Sequence, residues 1–158
     1  MRMGVVAAVM TIALSVSACS AGSSGEAATV TSREDVQAFV EEAVAYAQAN
    51  GKDAALEAIT DPQGPFQRGE LYIFAYDADG TVIAHGGNAE LIGQNISGLD
   101  DGFGNELLAE VLAKVKEGGG WVEYLWPDPD DGNAEKRKWG YVAPVDATWW
   151  LGSGTYEK

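Results

Sequence analysis

A chain of 158 residues with 24 acidic and 10 basic side chains, net charge −14, and a single cysteine excludes several classes of protein before any motif is read. Nucleic acid is not expected as a partner, because phosphate contacts are made by Lys and Arg, and the same acidity argues against docking on anionic lipid. One cysteine permits no internal disulfide, and the length suits one domain with one core.

The N-terminus carries Arg2, an apolar run from Val5 to Val16 broken only by small residues, and then Val16-Ser17-Ala18-Cys19, in the order of a secretory signal. A membrane span needs roughly 20 apolar residues, so this shorter run is expected to direct export and to be removed as residues 1–18. Val16-Ser17-Ala18-Cys19 resembles the bacterial lipobox, which implies that Cys19 is the lipid-modified first residue of the mature protein. An exported free thiol would be chemically exposed, and acylation removes it. Loss of residues 1–18 takes Arg2 and no acid, leaving a mature charge of −15. The protein is therefore expected outside the cytoplasm, lipid-anchored to the cell membrane or an outer membrane. Ser20 to Thr31 is rich in Ser, Gly, Ala and Thr and reads as a flexible tether with a reach of roughly 20 Å. Residues 32–158 form the expected domain.

Ser32 with Asp35 suits a helix start, and Val36, Phe39, Val40, Ala43, Val44 and Ala47 follow at helical spacing until Asn50-Gly51. A second short helix is predicted over Asp53–Ile59, ended by Asp61-Pro62-Gln63-Gly64-Pro65. Leu71–Tyr76 is then a strand, Asp77-Ala78-Asp79-Gly80 a turn and Thr81–His85 a second strand, together a β-hairpin. Asn105–Lys116 is an amphipathic helix stopped by Gly118-Gly119-Gly120. Three strands follow: Trp121–Trp126, about Arg137–Val145, and Trp149–Tyr156. The sum is an α+β domain, an antiparallel sheet of about five strands covered by helix on at least one face.

Catalytic signatures are missing: His85 is the only histidine, and no serine stands in a nucleophile-elbow sequence. Neither a catalytic residue nor a cofactor is expected. The acid-rich stretches at Asp77–Gly80, Asp100-Asp101-Gly102 and Asp128–Gly132 lack the spacing of a calcium loop and read as turns, so no metal site is expected. The aromatic stripes say more. Tyr72, Phe74 and Tyr76 share one strand face, as do Val122, Tyr124 and Trp126. Such a face serves as core or as pocket wall. Polar residues on neighbouring segments, His85, Lys138 and Tyr141, favour the pocket, because ligand sites combine apolar walls with a few convergent donors.

Six blocks in order, Leu71–Asp77 with Asp79-Gly80, Ala84-His85, Leu91–Asn95, Gly120–Pro127, Lys138–Val142 and Trp150–Tyr156, resemble the single Cache domain, particularly its second subtype. This family is the PAS-like extracytoplasmic sensor module of chemoreceptors and sensor kinases. The resemblance implies a PAS-like fold with a long N-terminal helix and a small-molecule ligand, often a short carboxylate, held between the sheet and the loops that cover it. It implies His85, Lys138 and Tyr141 as ligand-binding residues, the last two as a Lys-x-x-Tyr pair, with Tyr76, Tyr124 and Trp126 as walls. An ammonium and a phenol both donate to a carboxylate.

Two departures bear on this expectation. Gly86-Gly87 stands where the family has proline. Lys138 and Tyr141 are three apart, so an unbroken strand points them to opposite faces; a bulge at Gly140, or Lys138 in the loop before the strand, would bring them together. The sequence also stops at Lys158, directly after the last expected strand. The expected function is thus a lipid-anchored module that captures a short organic acid and acts with a membrane sensor or transport partner in signal transduction or chemotaxis. The alternative is a protein-interaction module on the same scaffold without a small-molecule ligand.

Overall fold

The computed structural model describes residues 31–95, 105–128 and 131–157. The expected signal peptide, Cys19 and nearly all of the tether lie outside the described residues. Ser32 opens α1 (Arg33–Asn50) with a reciprocal cap: its hydroxyl accepts from the Asp35 N–H at 3.1 Å while the Asp35 carboxylate accepts from the Ser32 N–H at 3.0 Å. The expected stripe is buried at Val36, Phe39, Val40, Ala43 and Ala47. Gly51, with φ +86°, closes α1 and starts α2 (Lys52–Thr60), which buries Ala55 and Ile59.

The strand expected over Leu71–Tyr76 is two strands. β1 (Gln67–Arg68) and β2 (Leu71–Tyr72) pair as a small ribbon that local periodicity did not reveal. The Ile73 N–H continues the ribbon's ladder to the Phe66 carbonyl at 3.2 Å, while its own carbonyl accepts from the Gly86 N–H at 2.9 Å, so residue 73 joins the ribbon to the main hairpin. β3 (Phe74–Asp77) and β4 (Val82–His85) form the expected hairpin, with a register shift between Ala75 and Tyr76. At its turn the Asp77 carboxylate accepts from the N–H groups of Asp79 and Thr81, the structural use of that acidic stretch. A short 3₁₀ turn, Ala89–Leu91, follows, and α3 (Asn105–Lys116) precedes β5 (Gly120–Asp128), β6 (Ala134–Pro144) and β7 (Trp149–Tyr156). The sheet runs β4-β3-β7-β6-β5, antiparallel throughout.

Helices cover both sheet faces. On one, α1 and α2 pack Val36, Phe39, Val40 and Ile59 against Ile73, Ala75, Ala84 and Leu151. The Arg33 guanidinium lies 3.8 Å from the Trp139 ring centre and 5.6 Å from that of Trp121, which fastens the first turn of α1 to β5 and β6 by cation–π attraction. On the other face, Leu107 and Val111 of α3 meet Tyr72, Phe74, Tyr76, Val122, Tyr124, Val142 and Trp150. The α+β arrangement read from the sequence is the one observed.

Candidate functional site

The α3 side of the sheet holds the polar residues. Strand periodicity puts Phe74 and Tyr76 of β3, Val122, Tyr124 and Trp126 of β5, Lys138 and Val142 of β6, and Trp150 of β7 around one cavity, with Tyr72 and His85 completing the wall. The cavity measures about 20 Å³, room for the centre of roughly one water molecule.

Lys138 is 1% exposed. Its ammonium donates to the Tyr72 hydroxyl at 2.7 Å and lies 4.3 Å and 4.8 Å from the ring centres of Tyr72 and Tyr156. Among the described residues no carboxylate stands within salt-bridge distance of it. An isolated buried charge costs several kcal/mol, and a phenol oxygen with two ring faces offsets only part of that.

His85 is 3% exposed and its Nδ1 accepts from the Asn88 backbone N–H at 2.9 Å. That bond leaves the proton on Nε2. Burial, with the Lys138 charge adding to it, lowers the imidazole pKa from 6.5 to about 3, so His85 works as a neutral donor. Burial likewise raises the Tyr76 and Tyr124 phenols, with the other tyrosines adding to the effect; both remain protonated. One cation and several neutral donors therefore share a wall with apolar groups. Trp150 stacks on Tyr76, ring centres 4.5 Å apart at 8°, and no partner is found for its buried indole N–H among the described residues.

Of the six residues expected from the sequence, His85, Lys138, Tyr76, Tyr124 and Trp126 come together here. Tyr141 does not. The pairing of β6 with β5 and β7 runs without interruption from Lys138 through Val142, so there is no bulge at Gly140, Lys138 is not in a loop, and the period of two sends Tyr141 to the α1 side. There it packs on Trp121, ring centres 5.3 Å apart, beside Glu41.

Sequence reasoning missed Tyr72 as a site residue, although its place in the Tyr72-Phe74-Tyr76 stripe was the available signal. Two contacts fix it: the Ser153 hydroxyl donates to its carbonyl at 2.8 Å, and its ring occupies the space a Gly87 side chain would need, 2.9 Å from the ideal Cβ. Gly86-Gly87 thus makes room for the phenol that holds Lys138. Among the described residues no group of three His, Cys, Asp or Glu side chains is placed to hold a metal, and no helix is long and apolar enough to cross a membrane.

Residues 27–158 match the family described as Single Cache domain 2. The sensor histidine kinase MctS of Rhizobium johnstonii (strain DSM 114642 / LMG 32736 / 3841) is 36% identical over 86 residues, 54% of this chain and 18% of that protein. The chain thus spans under a fifth of that relative's length. A solved structure described as "Structural basis for carboxylic acid recognition by a Cache chemosensory domain" is 30% identical with a TM-score of 0.63, covering 79% of this chain and 92% of that one. A "Periplasmic sensor domain of chemotaxis protein" is also 30% identical, TM-score 0.60, covering 79% and 90%. From the strand order, the pocket beneath α3 and the match across the whole described fold, the chain belongs to the Single Cache domain 2 family of sensor domains.

Proposed function

We propose that this domain is an extracytoplasmic, lipid-anchored module that binds a short organic acid bearing one carboxylate and acts with a membrane sensor or transport partner. The observation that carries the ligand reading is the buried Lys138 ammonium beside a cavity, with no carboxylate of its own among the described residues. An incoming carboxylate would supply the missing counter-charge and accept from Lys138, the His85 Nε2–H and the neighbouring phenols by charge-assisted hydrogen bonds. His85 is neutral, so the site holds one positive charge, and the remaining wall is Phe74, Val122, Val142, Leu107, Val111 and the rings of Trp126 and Trp150. A second carboxylate would lose its hydration there with no second cation to compensate it. The similarity to a domain described by carboxylic acid recognition agrees with this reading. For the anchor, the support is the Arg2-to-Cys19 sequence pattern.

Calorimetry of the full-length protein in detergent, against acetate, propionate and succinate, tests the proposal. Saturable uptake of a monocarboxylate, with succinate silent at the same concentration, is the expected result. Heat from none of the three would remove the acid reading. The narrowness of the cavity, about 20 Å³, favours the second reading, a protein-interaction module on the same fold, and that module would keep its partner when Lys138 is replaced.

Two tyrosine variants separate the faces of β6. Tyr72→Phe removes the oxygen that Lys138 donates to; a hydrogen bond to a charged group contributes about 1.5–3 kcal/mol, so acid affinity should fall roughly tenfold or more. Tyr141→Phe should leave affinity unchanged. Equal loss in both variants, measured by the same calorimetry, would place the site elsewhere.

A further inference from the structure

Gly140 stands in the middle of β6, paired with Val122 on one side and Gly154 on the other. A glycine inside a strand weakens it, and this one has neither a positive φ nor a bulge to justify it. Its neighbours supply the reason. A Cβ built at Gly140 would lie 2.9 Å from Cε1, 3.1 Å from the hydroxyl oxygen and 3.4 Å from Cζ of Tyr124, so its three closest contacts belong to one phenol ring. Strand side chains ordinarily stand perpendicular to the sheet; the Tyr124 ring instead reaches from edge strand β5 across the bare backbone of β6. Next to it, a Cβ at Gly154 would lie 2.9 Å from Cε of Lys138. The two polar arms of the site rest on a patch of sheet without side chains.

We infer that Gly140 is a positioning residue for Tyr124: the missing side chain lays the phenol across β6 with its hydroxyl toward the bound acid, and any side chain at 140 turns the ring up into the cavity. This inference rests on the acid-binding reading above. A cavity of about 20 Å³ has no spare room for a displaced ring. Gly154 is the less clean position to test, since a Cβ there would also lie 2.7 Å from the Trp139 carbonyl oxygen and disturb the sheet itself.

The test pairs calorimetry with a double-mutant cycle on full-length protein in detergent. Gly140→Ala should weaken propionate binding at least tenfold while far-ultraviolet circular dichroism stays that of the wild type. In urea unfolding, Gly140→Ala should destabilise the protein when Tyr124 is present and have no such effect in a Tyr124→Leu background, where the ring is gone. If the single variant fails to fold and the double variant folds, the dependence on the ring stands. Unchanged propionate affinity in a folded Gly140→Ala protein overturns the positioning role, and destabilisation that persists with Tyr124→Leu overturns the contact itself. If wild-type protein takes up no acid, the positioning role falls with the acid reading, while the cycle still reports where the ring rests.

Discussion

Lys138→Met should yield a protein that resists urea better than the wild type and takes up no short acid. Methionine matches the four-carbon stem of lysine and, being flexible, can fill the irregular gap between Tyr72 and Tyr156 without a charge. The ammonium it replaces is 1% exposed, and its burial costs several kcal/mol. Its hydrogen bond to Tyr72 returns about 1.5–3 kcal/mol, and the aromatic faces about 0.5–2 kcal/mol each. Exchanging buried charges for well-packed apolar groups is commonly neutral or stabilising by about 1–4 kcal/mol, and the unfolding midpoint should move in that direction. Affinity should move the other way. Removing one member of a buried charge pair costs about 2–5 kcal/mol, a loss of roughly 30-fold to several thousandfold. Urea denaturation and calorimetry on the same preparation check both halves. A Lys138→Met protein that is clearly less stable than wild type would make Lys138 a structural residue and end the proposal that it receives an anion.

Acid should destabilise the domain through His85 before it acts through any carboxylate. The imidazole pKa falls from 6.5 to about 3 on folding, so between those values the unfolded chain binds a proton that the folded one refuses. Stability rises with pH wherever the unfolded state holds more protons. The contribution is therefore complete above pH 6.5 and is lost as pH falls below it, at up to about 1.4 kcal/mol per pH unit for one proton. Asp35, Glu42 and Asp146 are also lowered, by hydrogen bonds to Ser32, Arg68 and Thr148 respectively. Their starting values are 3.8, 4.5 and 3.8, so their losses set in lower, and the slope between pH 6.5 and 5 belongs to the histidine. His85→Gln, whose amide oxygen can still accept from the Asn88 N–H, should flatten that slope. Unfolding free energies measured at half-unit intervals would show it; a slope unchanged in the variant would mean that His85 is protonated in the folded protein.

Much of this fold was legible because its signals are local. The helical spacing from Val36 to Ala47, the Ser32–Asp35 cap and the Asp77–Gly80 turn each depend on residues close in the chain. At Ile73 the N–H turns to the ribbon through the Phe66 carbonyl, a partner that no period along Leu71–Tyr76 announces. The site divides in the same way. Alternation along β3 and β5 grouped aromatic residues that line one cavity, and alternation along β6 was enough to part Lys138 from Tyr141. The Lys-x-x-Tyr resemblance pulled against that rule, and the uninterrupted pairing of β6 decided for the rule. The stripe it shares with Phe74 and Tyr76 was the signal for Tyr72, whereas Gly140 gave none; each matters through a side chain arriving from another strand, Lys138 in one case and Tyr124 in the other.

With room for the centre of about one water, the space beside Lys138 is small for a two-carbon acid, whose entry would need the walls to give. Its floor is hydrogen-bonded sheet backed by α1 and α2, whereas its roof is Leu107 and Val111 of a single helix. If that helix is the part that yields, arrival of an acid would be timed by how often it lifts as well as by collision. A site gated in this way would answer to sustained supply more than to brief encounters.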